Sequence, residues 1–325
     1  MALVLNARLW RYLVFPVSDH KSGALHTSDS IRAFQPMKVQ KEFESAQSLK
    51  FNGVNLTRVL STSLDSIGKE RSLYFANNSD LDALGIDTRL LAFQPRMTKE
   101  EKEVVLFVFE KFIHACIKHN VTFFLYGGTL LGSFRHHDII PWDDDIDVMV
   151  SAKDKSRLRA AVTSLSPDFM LHSPHGEAWK FFWIKPRTLL HKQFRWPYID
   201  IFFYLENKTH IFDEQVLFRS SYAYKKTDVF PLSIRPFAGA FLPVPCHIKA
   251  VLERTYSPSL CISLRFSHKL ESTPPRQLRA ILPCKHLHGY YPFVHRELLE
   301  GEERVKEELK LGDRIIHAME LRLDT

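Results

Sequence analysis

Apolar and polar positions change rhythm several times along the chain. Residues 18–70 are rich in Ser, Thr, Asn and Lys, their apolar positions are scattered, and neither a period of 2 nor one of 3.6 persists. That pattern predicts a linker or stem. From Tyr74 to Pro95 the chain becomes more apolar, and SDLDALGIDTRLLAF predicts one short helix docked on the main domain. Thr98 and Glu101 then have the spacing of a capping box, and Val105, Phe109, Phe112 and Cys116 recur at helical intervals, so a buried helix is expected to run to about Asn120. Val121–Tyr126 is β-branched and aromatic and reads as a strand that ends in the turn Gly127-Gly128.

Past the glycines, TLLGSF suits one or two helical turns and RHHDIIP a loop. Asp145–Val150 reads as a second buried strand, KDKSRLRAAVTSL as an amphipathic helix, and DFMLH, AWKFFWIK and YIDIFFY as three further strands. This order predicts an α/β (α+β) domain with one mixed sheet flanked by helices, pairing directions unspecified. A helix is expected from about Cys246 to Arg254, while Ser257–Pro292 gives weak signals. Residues 295–322 look amphipathic, with Leu298, Val305, Leu309, Ile316 and Met319 as core candidates and with Gly301 and Gly312 dividing the helix. The resulting organisation is a stem at 1–95 with a possible targeting segment, a main domain at 96–256, and a helical carboxy-terminal extension at 257–325 packed on the core.

Composition narrows the partners. The 325 residues are 45% hydrophobic and carry a net charge of +7 with a pI near 9.1, which favours anionic ligands. Lys and Arg are dispersed rather than blocked, which argues against nucleic acid. The four cysteines, Cys116, Cys246, Cys261 and Cys284, are too far apart for a zinc knuckle or a CxxC motif; Cys116 falls on a helix's apolar face, and one pair among the others suits an oxidising compartment. Four of the seven asparagines, Asn55, Asn77, Asn120 and Asn207, head Asn-x-Ser/Thr sequons, which leans toward the secretory pathway and the Golgi. Against this, MALVLNARLWRYLVFPV interrupts its apolar run with Arg8 and Arg11 and is neither a clean signal peptide nor a membrane span. An incomplete or atypical amino terminus, which would also allow a membrane tether, reconciles the two; a mitochondrial or cytoplasmic location stays open.

The chemistry is concentrated in YGGTLLGSFRHHDIIPWDDDIDVMV, residues 126–150. Alternation along the strand sends Asp143, Asp145 and Asp147 to one face and Asp144, Ile146 and Val148 to the other. Three carboxylates on one partly buried face repel unless a cation neutralises them, and oxygen-only ligands point to a hard ion, Mg²⁺ or Mn²⁺. Asp200, isolated in the apolar YIDIFFY, is the third acid expected there, since an unpaired charge in such a strand is costly. A solvated acidic turn and a calcium hand compete with this reading. The second suffers from Val148 at the position that needs Gly.

Gly127, Gly128 and Thr129 allow close backbone approach at a helix start, a favourable place for phosphate. Arg135 is placed to pair either with a phosphate oxygen or with a protein group, and His136 and His137 read as loop residues. Lys180 shares a strand face with Phe182, so it meets a diphosphate, a carboxylate or water beyond a sheet edge.

A strand, a Gly-Gly turn, a short helix, an Asp-x-Asp pair on the next strand and a third acid on a later one resemble the nucleotidyltransferase fold. YGGTLLGSFRHHDIIPWDDDIDVMV in particular, continued by IDIFFY and DVFPLSIRPFAGAFLPVP, is similar to the LicD family, which includes bacterial phosphocholine transferases, fukutin and fukutin-related protein; the resemblance runs from about Val121 to Tyr256. It implies that Asp145 and Asp147 hold the catalytic metal with Asp200 as third acid and general-base candidate. It also implies that Gly127, Gly128 and Thr129 line the nucleotide phosphates, with Asp143, Arg135 and Lys180 as further substrate-binding candidates. The implied reaction moves a phospho-alcohol group (phosphocholine, ribitol phosphate or glycerol phosphate) from a CDP-alcohol donor to a hydroxyl of a glycan or glycoprotein. A catalytically silent glycan-binding or scaffold relative and a nucleotidyltransferase with another substrate remain alternatives.

Overall fold

The computed structural model describes residues 50–51, 54–55, 88–186, 188–189, 191–299 and 304–322. The stem expected at 18–70, apart from a two-residue ladder of Lys50–Phe51 with Val54–Asn55, lies outside the described residues, as does most of the segment from Tyr74 onward. That segment's last turn, Thr88–Phe93, is a 3₁₀ helix whose Phe93 is fully buried.

Helix α1 (Lys99–Lys118) starts where its caps dictate. Thr98 Oγ accepts from the Glu101 amide, and Glu101 accepts in return from the Thr98 amide at 2.8 Å. Its apolar stripe of Val105, Phe109, Phe112 and Cys116 is buried, and Phe112 packs on Phe123 and Phe181 of the sheet.

Strands β1 (Phe123–Leu125) and β2 (Ile146–Ser151) flank helix α2 (Gly127–His136) in sequence, and α3 (Lys155–Thr163) follows. Then come β3 (Phe169–His172), β4 (Trp179–Trp183), β5 (Tyr198–Glu206), β6 (His210–Asp213) and β7 (Ala223–Lys225). They form one seven-stranded sheet in the order β1-β2-β5-β4-β3, with β6 paired to β5 and β7 to β6. The β2–β5 pair is parallel and every other pair in this sheet is antiparallel, so the sheet is mixed as the sequence pattern led us to expect.

The pleat sorts the two faces. Phe123, Phe181 and Ile199 lie on the side covered by α1, whereas Phe124 meets Tyr204 and Phe230 on the opposite side. Met149, Phe202, Asp147, Asp200 and Lys180 share that second face by register.

The carboxy-terminal part differs from expectation. The described residues of 295–322 are not helical: β12 (Phe293–Leu298), β13 (Arg304–Leu311) and β14 (Arg314–Arg322) form a three-stranded antiparallel sheet, after two short strands, β10 (Leu260–Ile262) and β11 (Ile281–Pro283), and a β8–β9 hairpin (Ser233–Phe237, Ala240–Val244). The physical reason is visible in β13. Val305, Glu307 and Leu309 alternate toward the protein while Lys306, Glu308 and Lys310 pair with one another outside. A charged residue at the most buried inward position hides the period of 2. Glu307 is fully buried between Arg235, Arg296 and His137, and it pins the sheet to the domain. Gly312, at φ +58°, opens the tight β13–β14 turn rather than interrupting a helix. Leu298, expected in the core, is 64% exposed, whereas Leu309 is buried. The same hydrophobic core takes in Leu282, Cys284, Leu287, Tyr291 and Phe293, so the extension is continuous with the sheet domain.

Candidate active site

The acids converge on the second face of the sheet. Register opposes Asp147 to Asp200 across β2–β5, and Asp200 to Lys180 across β5–β4, so three charged side chains stand in one row on three adjacent strands. Asp145 precedes β2 by one residue and joins them. One ligand atom each from Asp145, Asp147 and Asp200 lies within 4.8 Å of the others.

Lys180 donates to Asp200 Oδ1 at 2.7 Å and lies 4.0 Å from the centre of the Tyr198 ring. Of the roles open to it from sequence, the structure gives it a carboxylate partner.

Helix α2 begins against these acids. Gly128 N–H donates to Asp147 Oδ2 at 3.2 Å, and Thr129 Oγ accepts from the Asp147 amide at 2.7 Å. A Cβ on Gly127, whose φ is +54°, would stand 2.6 Å from Asp147 Oδ2, and one on Gly128 would stand 2.7 Å from Asp143 Oδ2. Glycine is required at both positions because the carboxylates occupy that space. Gly132, which the sequence did not single out, is equally constrained: its Cβ would collide with the Asp138 carbonyl.

Asp144, two residues before β2, takes the opposite role from its neighbours. Its Oδ2 accepts from Ser267 Oγ and the Lys269 amide, and its Oδ1 from the His268 amide and ring Nδ1. Those donors hold its carboxyl below the usual value despite burial. Asp143, Asp145 and Asp147 go the other way. Burial, followed by neighbouring carboxylates, raises Asp143 and Asp145 well above the ordinary value and Asp147 to about 7. Such crowding is what a divalent cation relieves, and the oxygen-rich donor set fits a hard ion.

His268 is the residue that sequence reasoning missed. Its Nδ1 lies 3.2 Å from Asp144 Oδ1 and 3.3 Å from Asp145 Oδ2, and its Nε2 lies 3.9 Å from Asp200 Oδ2. Burial opposes a charged imidazole, but Asp145, the Asp144 hydrogen bond and Asp200 outweigh it and raise His268 well above the ordinary histidine value. It arrives from a segment more than 120 positions beyond the aspartates, with no spacing that ties it to them. Tyr222 and Tyr256 also border the acids; burial foremost, and the charge of Asp147 next or close to it, raises both phenols.

Arg135 takes the protein-bound option. Buried, it donates from Nη1 to the Leu260 carbonyl, has the same atom 3.4 Å from Cys284 Sγ, and stacks over Trp142. Burial lowers it to about 10, with Asp143 acting against that shift, so its charge still reaches the acid cluster while its hydrogen bonds serve the scaffold. His136, expected in a loop, ends α2 and binds the Pro292 carbonyl, and His137, its C-cap, binds Glu307; both are buried. Cys261 and Cys284 form a disulfide, and Cys116 is a buried free thiol.

Residues 120–247 match the family model described as LicD/FKTN/FKRP, nucleotidyltransferase domain, close to the stretch over which the sequence motifs ran. The chain is 38% identical over 63 residues to the lipopolysaccharide cholinephosphotransferase LicD of Haemophilus influenzae, a match covering 19% of this chain and 24% of that protein. It is 30% identical over 151 residues to the ribitol 5-phosphate transferase FKRP of Mus musculus and 29% over 150 residues to that of Homo sapiens, covering 43% of this chain and 28% of each relative. The matches thus span about a quarter of the length of these relatives.

Proposed function

We propose that this chain, whose residues 120–247 match the LicD/FKTN/FKRP nucleotidyltransferase-domain model, transfers a phosphate-linked alcohol, of the phosphocholine or ribitol phosphate kind, from a CDP-linked donor to a glycan hydroxyl. The observation that carries the reading is the convergence of Asp145, Asp147 and Asp200 beside the start of α2. These three carboxylates would hold one Mg²⁺ or Mn²⁺. Bound there, the ion neutralises diphosphate charge and stabilises what develops during transfer.

The remaining work falls to the chain's own groups. Gly127 and Gly128 leave room for Asp143 and Asp147 to crowd the helix start, and Thr129 fixes the backbone of Asp147. Lys180 orients Asp200 through Oδ1, so Oδ2 is the atom that takes the proton of the attacking hydroxyl. Exposed sequon asparagines at 120 and 207, together with the Cys261–Cys284 bond, support the lumen of the secretory pathway, Golgi included, as the compartment. No described helix is long and apolar enough to cross a membrane.

The test is a panel of CDP-choline, CDP-ribitol and CDP-glycerol offered with glycan acceptors, with Mn²⁺ or with EDTA, reading CMP release. Release from one donor, abolished by EDTA and by Asp145→Asn, is the expected result. No release from any donor would refute transfer, and pyrophosphate release from a nucleoside triphosphate would redirect the reading to nucleotidyl transfer.

A further inference from the structure

The loop between β6 and β7 carries an apolar tip. Val216 and Leu217 are 78% and 88% exposed, the highest values of any large apolar side chain among the described residues, and Phe218 beside them is 40% exposed. Consecutive in sequence, the three make one patch rather than scattered surface positions.

The bonds that shape this loop do not involve those side chains. Asp213 Oδ1 accepts from the Gln215 amide at 2.8 Å, the Gln215 carbonyl accepts from the amides of Phe218 and Arg219 at 3.0 Å each, and Arg219 Nη2 donates to the Glu214 carbonyl at 3.0 Å. The Phe218 carbonyl accepts in turn from the Tyr222 amide at 2.8 Å. Apolar groups held out on a fastened turn have less freedom to lose when they enter an apolar phase.

Aromatic contacts tie the tip to the acid-bearing face of the sheet. The Phe218 ring lies 5.7 Å from that of Tyr222, Tyr222 lies 5.6 Å from Tyr126, and the Tyr126 amide donates to the Asp147 carbonyl at 3.2 Å.

The charge around the tip is positive where it is not compensated. Glu214 pairs with Lys155, and Asp213, which is buried, accepts from the Tyr126 hydroxyl. Arg219 is exposed and stacks on Phe212, with no carboxylate at ion-pair distance among the described residues. Arg265 is exposed and lacks one as well, and its charge acts on the Tyr222 phenol against the burial and the Asp147 charge that raise it. Apolar side chains flanked by free arginines complement an anionic lipid surface. A protein partner fits less well, because three side chains on a turn offer only a fraction of the roughly 800 Å² per partner that a stable interface buries.

We propose that Val216 and Leu217, backed by Phe218, form a membrane-contact tip that enters the interface of an anionic lipid leaflet, with Arg219 and Arg265 meeting the headgroups. The inference goes beyond the phosphotransfer reading and does not depend on it.

The test floats the full chain with vesicles of phosphatidylcholine alone and of phosphatidylcholine with phosphatidylserine at four to one. Wild type is expected to float with the anionic vesicles, far less with the neutral ones, and to lose most of the difference at high salt. Val216→Ser and Leu217→Ser should each weaken partition about 10-fold, and Arg219→Gln about 5-fold on the anionic vesicles only. Met170→Ser, which removes a side chain 52% exposed on β3, should change nothing. Because Val216 and Leu217 are exposed, both variants should melt with wild type, which separates lost contact from lost fold.

Wild-type protein that floats with neither vesicle overturns the inference, and so does a Leu217→Ser protein that floats like wild type. A concentration-dependent dimer in sedimentation that Leu217→Ser abolishes overturns it as well, since the tip then covers a second copy of the chain.

Discussion

Asp147 and Asp200 are register partners across the parallel β2–β5 pair, two carboxylates brought side by side by backbone pairing before any ligand is considered. Without a cation this arrangement costs stability, because burial and the charge of Asp200 push Asp147 up to about 7. Asp147→Asn is therefore expected to raise the melting temperature in EDTA, to abolish the Mn²⁺-dependent rise, and to cut turnover by about 10²–10³-fold. Thermal melts with and without Mn²⁺ check it. A variant that still responds to Mn²⁺ like wild type would remove Asp147 from the metal site.

Lys180 makes the opposite prediction about the same row. Its side chain is mostly buried against Asp200, so Lys180→Met leaves a carboxylate in the sheet without its cation. A metal-free destabilisation of about 2–3 kcal/mol is expected, largely restored by Mn²⁺. Denaturant titrations in EDTA and in Mn²⁺ measure both halves.

The glycines separate geometry from folding. Gly127→Ala and Gly128→Ala each put a methyl against a carboxylate oxygen of the cluster, Gly127 at a backbone angle that disfavours a side chain as well. Both should lose most turnover and Mn²⁺ response, with Gly127→Ala also less stable by about 1 kcal/mol or more. Gly289→Ala, with nothing within 4 Å of the added methyl, serves as the control and should leave both unchanged.

Acid sensitivity should come from Glu307. Burial opposes its ionisation, but the His137 hydrogen bond and the Arg235 and Arg296 guanidiniums prevail and hold it at about 2, against an ordinary 4.5. A depressed folded value means that the stabilisation is complete above about pH 4.5, shrinks as pH falls below that, and is gone below about 2. The difference corresponds to about 3 kcal/mol. Burial also lowers His137, so its protonation erodes stability in the same direction, starting nearer pH 6.5. Glu307→Gln should be less stable by a similar amount at neutral pH and show a flatter loss between pH 4.5 and 2, read from urea midpoints across that range.

The sheet and its acid row were legible because their causes are local. The Thr98–Glu101 cap, the β-branched runs and the alternation of Asp147 with Ile146 and Val148 all act within a few residues. Asp200 was found by the same logic, as a charge that an apolar strand cannot hold without a partner, and that partner is Lys180. What sequence did not reveal depends on long-range contact. His268 reaches the acids through a loop whose sequence, SLRFSHKLE, has no period and no spacing to them. Arg135 stays open between a phosphate oxygen and a protein group until the distant Leu260 carbonyl and Cys284 are brought beside it. The carboxy-terminal strands were masked because Glu307 stands where alternation calls for an apolar side chain, and its compensating charges, Arg235 and His137, come from far upstream.

The Cys261–Cys284 bond has a practical consequence of its own. The two cysteines bracket the stretch that holds Ser267, His268 and Lys269, and the matched domain ends before the first of them. A chain synthesised in a reducing cytosol would keep every aspartate and glycine of the acid row, yet it would carry His268 on an unlatched loop with more conformational freedom to lose. Recombinant material from such a host is expected to look folded by helix and sheet content and to be poor at any step that depends on this loop. Oxidative refolding, or production in an oxidising compartment, is therefore part of a fair assay of what this protein does.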